Sequence, residues 1–106
     1  MIYQNVEPVT MEEFEPYLGR DFNVQNTDVP VTLKLIEIED STKGRLWPKK
    51  LPKPFLMIFA GPPERILLEG LRILQVPGGP TFQLYVIPIL THDPGATGQK
   101  YQVVIN

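Results

Sequence analysis

The sequence predicts a mainly β domain: six antiparallel strands closed as a β-barrel or packed as a small sandwich, with one short N-terminal α-helix. Three observations predict it. Apolar residues recur with period two through most of the chain after Gly19. Clusters of Gly, Pro, Asn and Asp separate the alternating segments. A helical start, helical spacing and a stop coincide only once, between Thr10 and Gly19. A length of 106 residues with 42% apolar side chains suits one domain. Residues 1–9 read as an N-terminal extension and 10–106 as the barrel domain.

The helix is capped at its start and cut short by a proline. Thr10 and Glu13 form a T-x-x-E pattern, in which hydroxyl and carboxylate each cap the other's backbone amide. Phe14, Tyr17 and Leu18 then fall on one face, and Gly19 supplies a stop. Pro16 removes a backbone hydrogen bond soon after the cap, so only one to two turns are expected, with a kink.

A first strand is expected over 21–25, burying Phe22 and Val24, followed by a turn over 27–30. The second, 31–40, changes phase: Val31, Leu33 and Leu35 share one face, whereas Ile36 and Ile38 lie on the other. This predicts a bulge near Leu35 or burial on both sides. A continuous apolar run, 55–60, makes the third strand and ends at Gly61-Pro62-Pro63. Strands over 71–76 and 81–89 flank the Pro77-Gly78-Gly79-Pro80 turn, and Pro88, lacking an amide hydrogen, marks an edge at the end of the fifth. The sixth, 100–105, alternates Tyr101, Val103 and Ile105 with Gln102 and Val104 after a hairpin over 91–98. Neighbouring strands are expected to pair in order. The expected core is Phe14, Leu18, Phe22, Leu33, Leu35, Phe55, Met57, Phe59, Ile73, Phe82, Leu84, Val86, Tyr101 and Val103.

Composition excludes several chemistries. With no cysteine, the chain has no disulfide, no thiolate metal ligand and no cysteine nucleophile. One histidine, His92, sits in a turn segment and makes a poor basis for a zinc or copper site. Ser41 is the sole serine and lies in no G-x-S-x-G elbow. Glu12, Glu13 and Glu15 suit a helix N-terminus better than a carboxylate pair or calcium site. Gly95 to Lys100 lacks the end of a phosphate-binding loop and precedes a strand. No catalytic residue, metal or cofactor is expected, and the chain is read as non-enzymatic. A net charge of −2 supplies no broad field for nucleic acid. Neither a signal peptide nor an apolar run of membrane-spanning length is visible. Cytoplasmic synthesis is the expectation, with a virion or fibre assembly as one destination.

Charge is distributed unevenly. Residues 1–40 hold nine acids against Arg20 and Lys34, whereas 41–53 hold five bases, no acid and the only tryptophan, Trp47. Tryptophan and arginine are favoured interface anchors, and Pro48, Pro52 and Pro54 reduce the entropy lost when such a loop docks. Arg45, Trp47, Lys49 and Lys50 are therefore the candidate partner-binding residues, joined by Ile2 and Tyr3 from the apolar extension. One subunit's basic loop meeting another's acidic helix would build rings or filaments. Stacking of Trp47 on single-stranded nucleic acid is the less favoured use of the same residues.

The chain also resembles a small bacterial family of domains of unknown function, of roughly this length, associated with phage-tail-collar proteins of the microcystin-dependent type. The residues that carry the resemblance are Phe14-x-Pro16-x-Leu18-Gly19 with Phe22, then Leu33-x-Leu35-x-Glu37, then Phe55 through Phe59-x-Gly61-Pro62, Leu84 through Pro88, and Gly98-x-x-Tyr101-x-x-Val104-x-Asn106. The family offers no catalytic residues to carry over. The extension and the long basic loop depart from its pattern. Together these readings lead to a structural or adaptor protein that assembles with itself or binds a phage-tail-like fibre protein. The alternative is a small ligand- or glycan-binding barrel with Trp47 and Tyr85 as a stacking platform.

Overall fold

The computed structural model describes residues 9–89 and 98–105. Thr10 caps helix α1 (Met11–Phe14) through a complete capping box: the Glu13 amide donates to the Thr10 hydroxyl at 3.3 Å, and the Thr10 amide donates to the Glu13 carboxylate at 3.1 Å. At Glu15 the chain tightens into a 3-10 turn (Glu15–Tyr17), as Pro16 requires. Leu18 is already extended, with φ −60° and ψ 126°, and Gly19 follows at φ +83°. Phe14 is fully buried. Leu18, expected in the core, is 52% exposed, because the helix ends before it and its side chain leaves the helical face.

Six strands follow: β1 (Asp21–Val24), β2 (Val31–Asp40), β3 (Phe55–Gly61), β4 (Gly70–Gln75), β5 (Thr81–Ile89) and β6 (Gln99–Ile105). They close into an antiparallel barrel in the order β1-β2-β3-β6-β5-β4, which decides between barrel and sandwich. The hairpin segment expected over 91–98 lies mostly outside the described residues. Pairing in chain order holds within β1-β2-β3 and within β4-β5-β6 but fails between β3 and β4. Two prolines directly after Gly61 preclude a tight hairpin there, and residues 62–69 instead run along the barrel, burying Leu67. Tyr101 holds that segment in place: the Leu67 amide donates to its hydroxyl at 2.9 Å, and the hydroxyl donates to the Arg65 carbonyl at 3.4 Å. β3 is therefore free to pair with β6, and β4 closes the ring on β1 through Asn23↔Gln75 and Val24↔Leu74.

Two local features follow the sequence. The β2–β3 register shifts between Leu35 and Glu37, the expected bulge, so that Leu35 and Ile38 both face inward and Ile36 is exposed. Pro88 lies beyond Val86, the last residue of β5 paired with β4, and is paired on one side only, with Tyr101. That end of β5 is the local edge that a residue without an amide hydrogen needs. Gly98 stands at φ +81°, where a Cβ would run into the Gly61 carbonyl, so the entry into β6 demands glycine.

The interior is filled with aromatic rings. Phe14 packs against Phe82 at 4.4 Å between centroids with the rings tilted by 37°, and Phe22 meets Phe59 edge-on at 5.2 Å and 90°. Val24, Val31, Leu67, Leu74 and Val76 join the expected core. Ile73 does not: it faces outward and is half-buried, because Leu74, opposite Phe82, takes the inward phase of β4. Arg72 shares that inward phase, opposite Leu84, and its Nη2 donates to the Leu68 carbonyl at 2.7 Å. Replacing Phe22 with alanine should cost about 3–5 kcal/mol, a large part of the roughly 5–15 kcal/mol that stabilises such a domain. Thermal unfolding of F22A against F22L checks this: the leucine variant should retain a cooperative transition well above that of the alanine variant.

Candidate functional site

The site is built at the end of β2. The Asp40 carboxylate accepts from the Thr42 amide at 2.8 Å and from the Thr42 hydroxyl at 2.7 Å, closing a small side-chain turn. Thr42 is thereby buried, although it lies in a loop. Lys43 and Gly44 then take positive φ values of 53° and 80°, which reverses the chain. The Arg45 amide and Nε both donate to the Thr42 carbonyl, at 3.0 and 3.2 Å. The Ser41 amide bonds the Pro54 carbonyl at 3.1 Å, so the two stems are tied together where the loop leaves and re-enters the sheet.

Past this base the loop is braced a second time. The Leu51 amide donates to the Pro48 carbonyl at 3.1 Å, and the Trp47 indole Nε1 donates to the Pro52 carbonyl at 3.2 Å. With its polar atom occupied internally, Trp47 offers an apolar face and is 38% exposed. Leu51 is 54% exposed and Leu46 fully so. Arg45, Trp47 and Lys49 line a shallow concavity of about 520 Å³, whose far wall is Thr10, Met11 and Glu12 of the helix start. Lys50 is exposed on the same loop but does not line it. The structure thus brings Arg45, Trp47 and Lys49 together. Ile2 and Tyr3, the other two candidates, lie outside the described residues, as does His92. The acidic helix, expected to meet a neighbouring subunit's loop, lies beside the loop of its own chain.

A second concavity, about 550 Å³, escaped sequence reasoning. Asn26 and Asp28 of the β1–β2 turn, Arg65 and Leu68 of the β3–β4 connection, and Arg72 line it. Arg72 Nε is buried there without a hydrogen-bond partner among the protein atoms. Burial raises the Tyr101 hydroxyl above its ordinary pKa, while the Leu67 amide bond and the Arg72 charge pull the other way. An inward-facing arginine at a strand position flanked by Leu71 and Ile73 leaves no periodic signal, which is why the sequence pattern hid it. Tyr85 stands apart from Trp47: its hydroxyl donates to Glu69 at 2.6 Å, a bond that raises its pKa, and it does not line the Trp47 concavity. Among the described residues no three or more His, Asp or Glu side chains gather as a metal site, and no helix is long and apolar enough to cross a membrane.

The Asp40 turn has a pH signature. The Thr42 hydroxyl bond, then the Thr42 amide bond, hold the Asp40 carboxyl below its ordinary value against the opposing effect of desolvation, and Lys53 adds a weaker pull in the same downward direction. A lowered folded-state pKa stabilises above the unfolded value, and that contribution is lost as pH falls through the folded value. Asp40→Ala should therefore lower the unfolding temperature near neutral pH, and the gap from the parent should close at pH values below the carboxylate range. Parallel thermal melts across that range check both the sign and the window.

A search of the curated proteins and a search of the solved structures each found no match. The family model described as a domain of unknown function (DUF6916) matches residues 9–105, a span that takes in the capped helix, the braced loop and all six strands. The chain belongs to that family.

Proposed function

We propose that this domain is a non-enzymatic structural or adaptor module that associates through the 41–53 loop, either with further copies of itself or with a fibre protein of the phage-tail-collar type. The observation that carries this reading is the braced loop. Two sets of internal hydrogen bonds hold Leu46, Trp47 and Leu51 out of the core, in a setting of Arg45, Lys49, Lys50 and Lys53. A loop already ordered loses little conformational entropy on docking, and an exposed cluster of large apolar side chains on a small domain is a contact surface by default. Basic residues around such a cluster raise the encounter rate with an acidic partner and select its register.

The filled interior supports the same reading. Rings of Phe14, Phe22, Phe59 and Phe82 occupy the space that a ligand-carrying barrel keeps open. Among the described residues, Tyr85 does not line the concavity that holds Trp47, so the two do not form a stacking platform there. Partner recognition is therefore assigned to the outside of the barrel.

Sedimentation velocity over a wide concentration range tests the proposal against the monomer mass of 12.1 kDa. The parent chain should form a larger species at high concentration and shift towards monomer as salt is raised, since screening weakens surface charge contacts. Trp47→Ala combined with Lys49→Ala and Lys50→Ala should weaken association while leaving the thermal transition close to the parent's. A monomer at every concentration removes self-association, and unchanged assembly of the triple variant removes the loop.

A further inference from the structure

The outer face of the sheet beside the loop carries what the loop lacks. Cross-strand pairing sets out three rows of outward positions: Glu39, Leu56 and Val104; then Glu37, Ile58, Gln102 and Ile87; then Lys34, Ala60, Lys100 and Ile89. Their neighbours along each strand, Leu35, Met57, Phe59, Tyr101 and Val103, are buried in the core. Leu56, Ile58 and Ile87 are half-buried and Val104 is 42% exposed, so the centre of the face is apolar. Ile36, pushed out by the bulge, extends it at 41% exposure. Charge is graded along the strands. The two rows nearest the loop hold the exposed acids Glu37 and Glu39, and the third holds Lys34 and Lys100.

Resting on the association reading above, we infer that the loop's partner is this face on a second copy of the chain. Leu46 and Trp47 cover Leu56, Ile58 and Val104, while Lys49 and Lys50 meet Glu37 and Glu39. Apolar content supplies the affinity and the charges supply the register, since single exposed ion pairs are worth little. Lys34 and Lys100 repel a loop placed farther along the strands. The two patches also adjoin, because Glu39 and Leu56 sit next to the Asp40↔Phe55 pair from which the loop springs. One two-fold axis passing between the patches then satisfies both contacts at once, which gives a closed dimer instead of a filament.

Charge reversal in two separate variants tests this. Lys49→Glu with Lys50→Glu, and Glu37→Lys with Glu39→Lys, should each raise the dimer dissociation constant by about tenfold or more. Mixed in equal amounts, the two should recover a dimer holding one copy of each, read by native mass spectrometry of chains made at two isotopic masses. Recovery on mixing also shows that each variant is folded. Three results overturn the inference: tight assembly of the Glu37/Glu39 variant when the Lys49/Lys50 variant has lost it, no recovery on mixing, or species growing beyond a dimer with concentration. The first leaves the loop in place as the contact and moves only its acceptor. Assembly indifferent to both reversals and to the Trp47 substitution overturns the association reading itself.

Discussion

Phe82 is the residue around which the barrel is closed. Its ring lies within 4.4 Å of the Phe14 centroid and about 6.2 to 6.3 Å from those of Phe22 and Tyr17. It therefore joins β5 to the N-terminal turn and to β1, some sixty residues earlier in the sequence. Closure of the sheet depends on this, because β1 reaches β4 through only two paired positions, and a short ladder holds only when side chains behind it are packed. Rings that support six strands also leave little interior to give to a ligand, which is why the proposed function places recognition on the loops and the outer face.

Much of the barrel was legible because alternation is a direct record of burial. β2 and β5 begin and end where period two begins and ends, and the bulge at Leu35 shows in the linear sequence as a change of phase. Sequence failed where something other than burial set the phase. Leu18 fits a helical face, but Pro16 and Gly19 had already ended the helix. Ile73 was expected to face inward, yet the inward phase of β4 belongs to Arg72 and Leu74, and the arginine places its Nη2 on a carbonyl of the β3–β4 connection. Pairing of β3 with β6 was hidden for a similar reason. It goes with a long β3–β4 connection that the Tyr101 hydroxyl ties down through two hydrogen bonds, at Arg65 and Leu67, which no local pattern announces.

The candidate site was legible by composition and not by shape. A tryptophan among five bases is visible in the string of residues. The Asp40–Thr42 turn and the Trp47–Pro52 hydrogen bond that brace it are not, since both depend on backbone conformations that only the folded stems select. This bracing is the observation on which the proposed contact surface rests. Its apolar side chains are exposed because the hydrogen bonds hold them there, although apolar surface favours burial.

The bulge at Leu35 adds one residue to β2 without adding a rung to its ladder with β3. Before it, inward residues carry odd numbers, and after it Ile38 faces in while Glu37 and Glu39 face out. Ile36 is the supernumerary residue, the one the ladder passes over between Leu35 and Glu37. A regular ten-residue strand of the same composition would turn both glutamates into the core and both isoleucines to solvent. Removing Ile36 alone would leave every remaining partner in β3 where it is. The glutamates stay outside because Ile36 is bulged out of the ladder instead of taking a rung in it, and the strand reads as a nine-residue ladder whose one added residue, Ile36, is carried on the outer face.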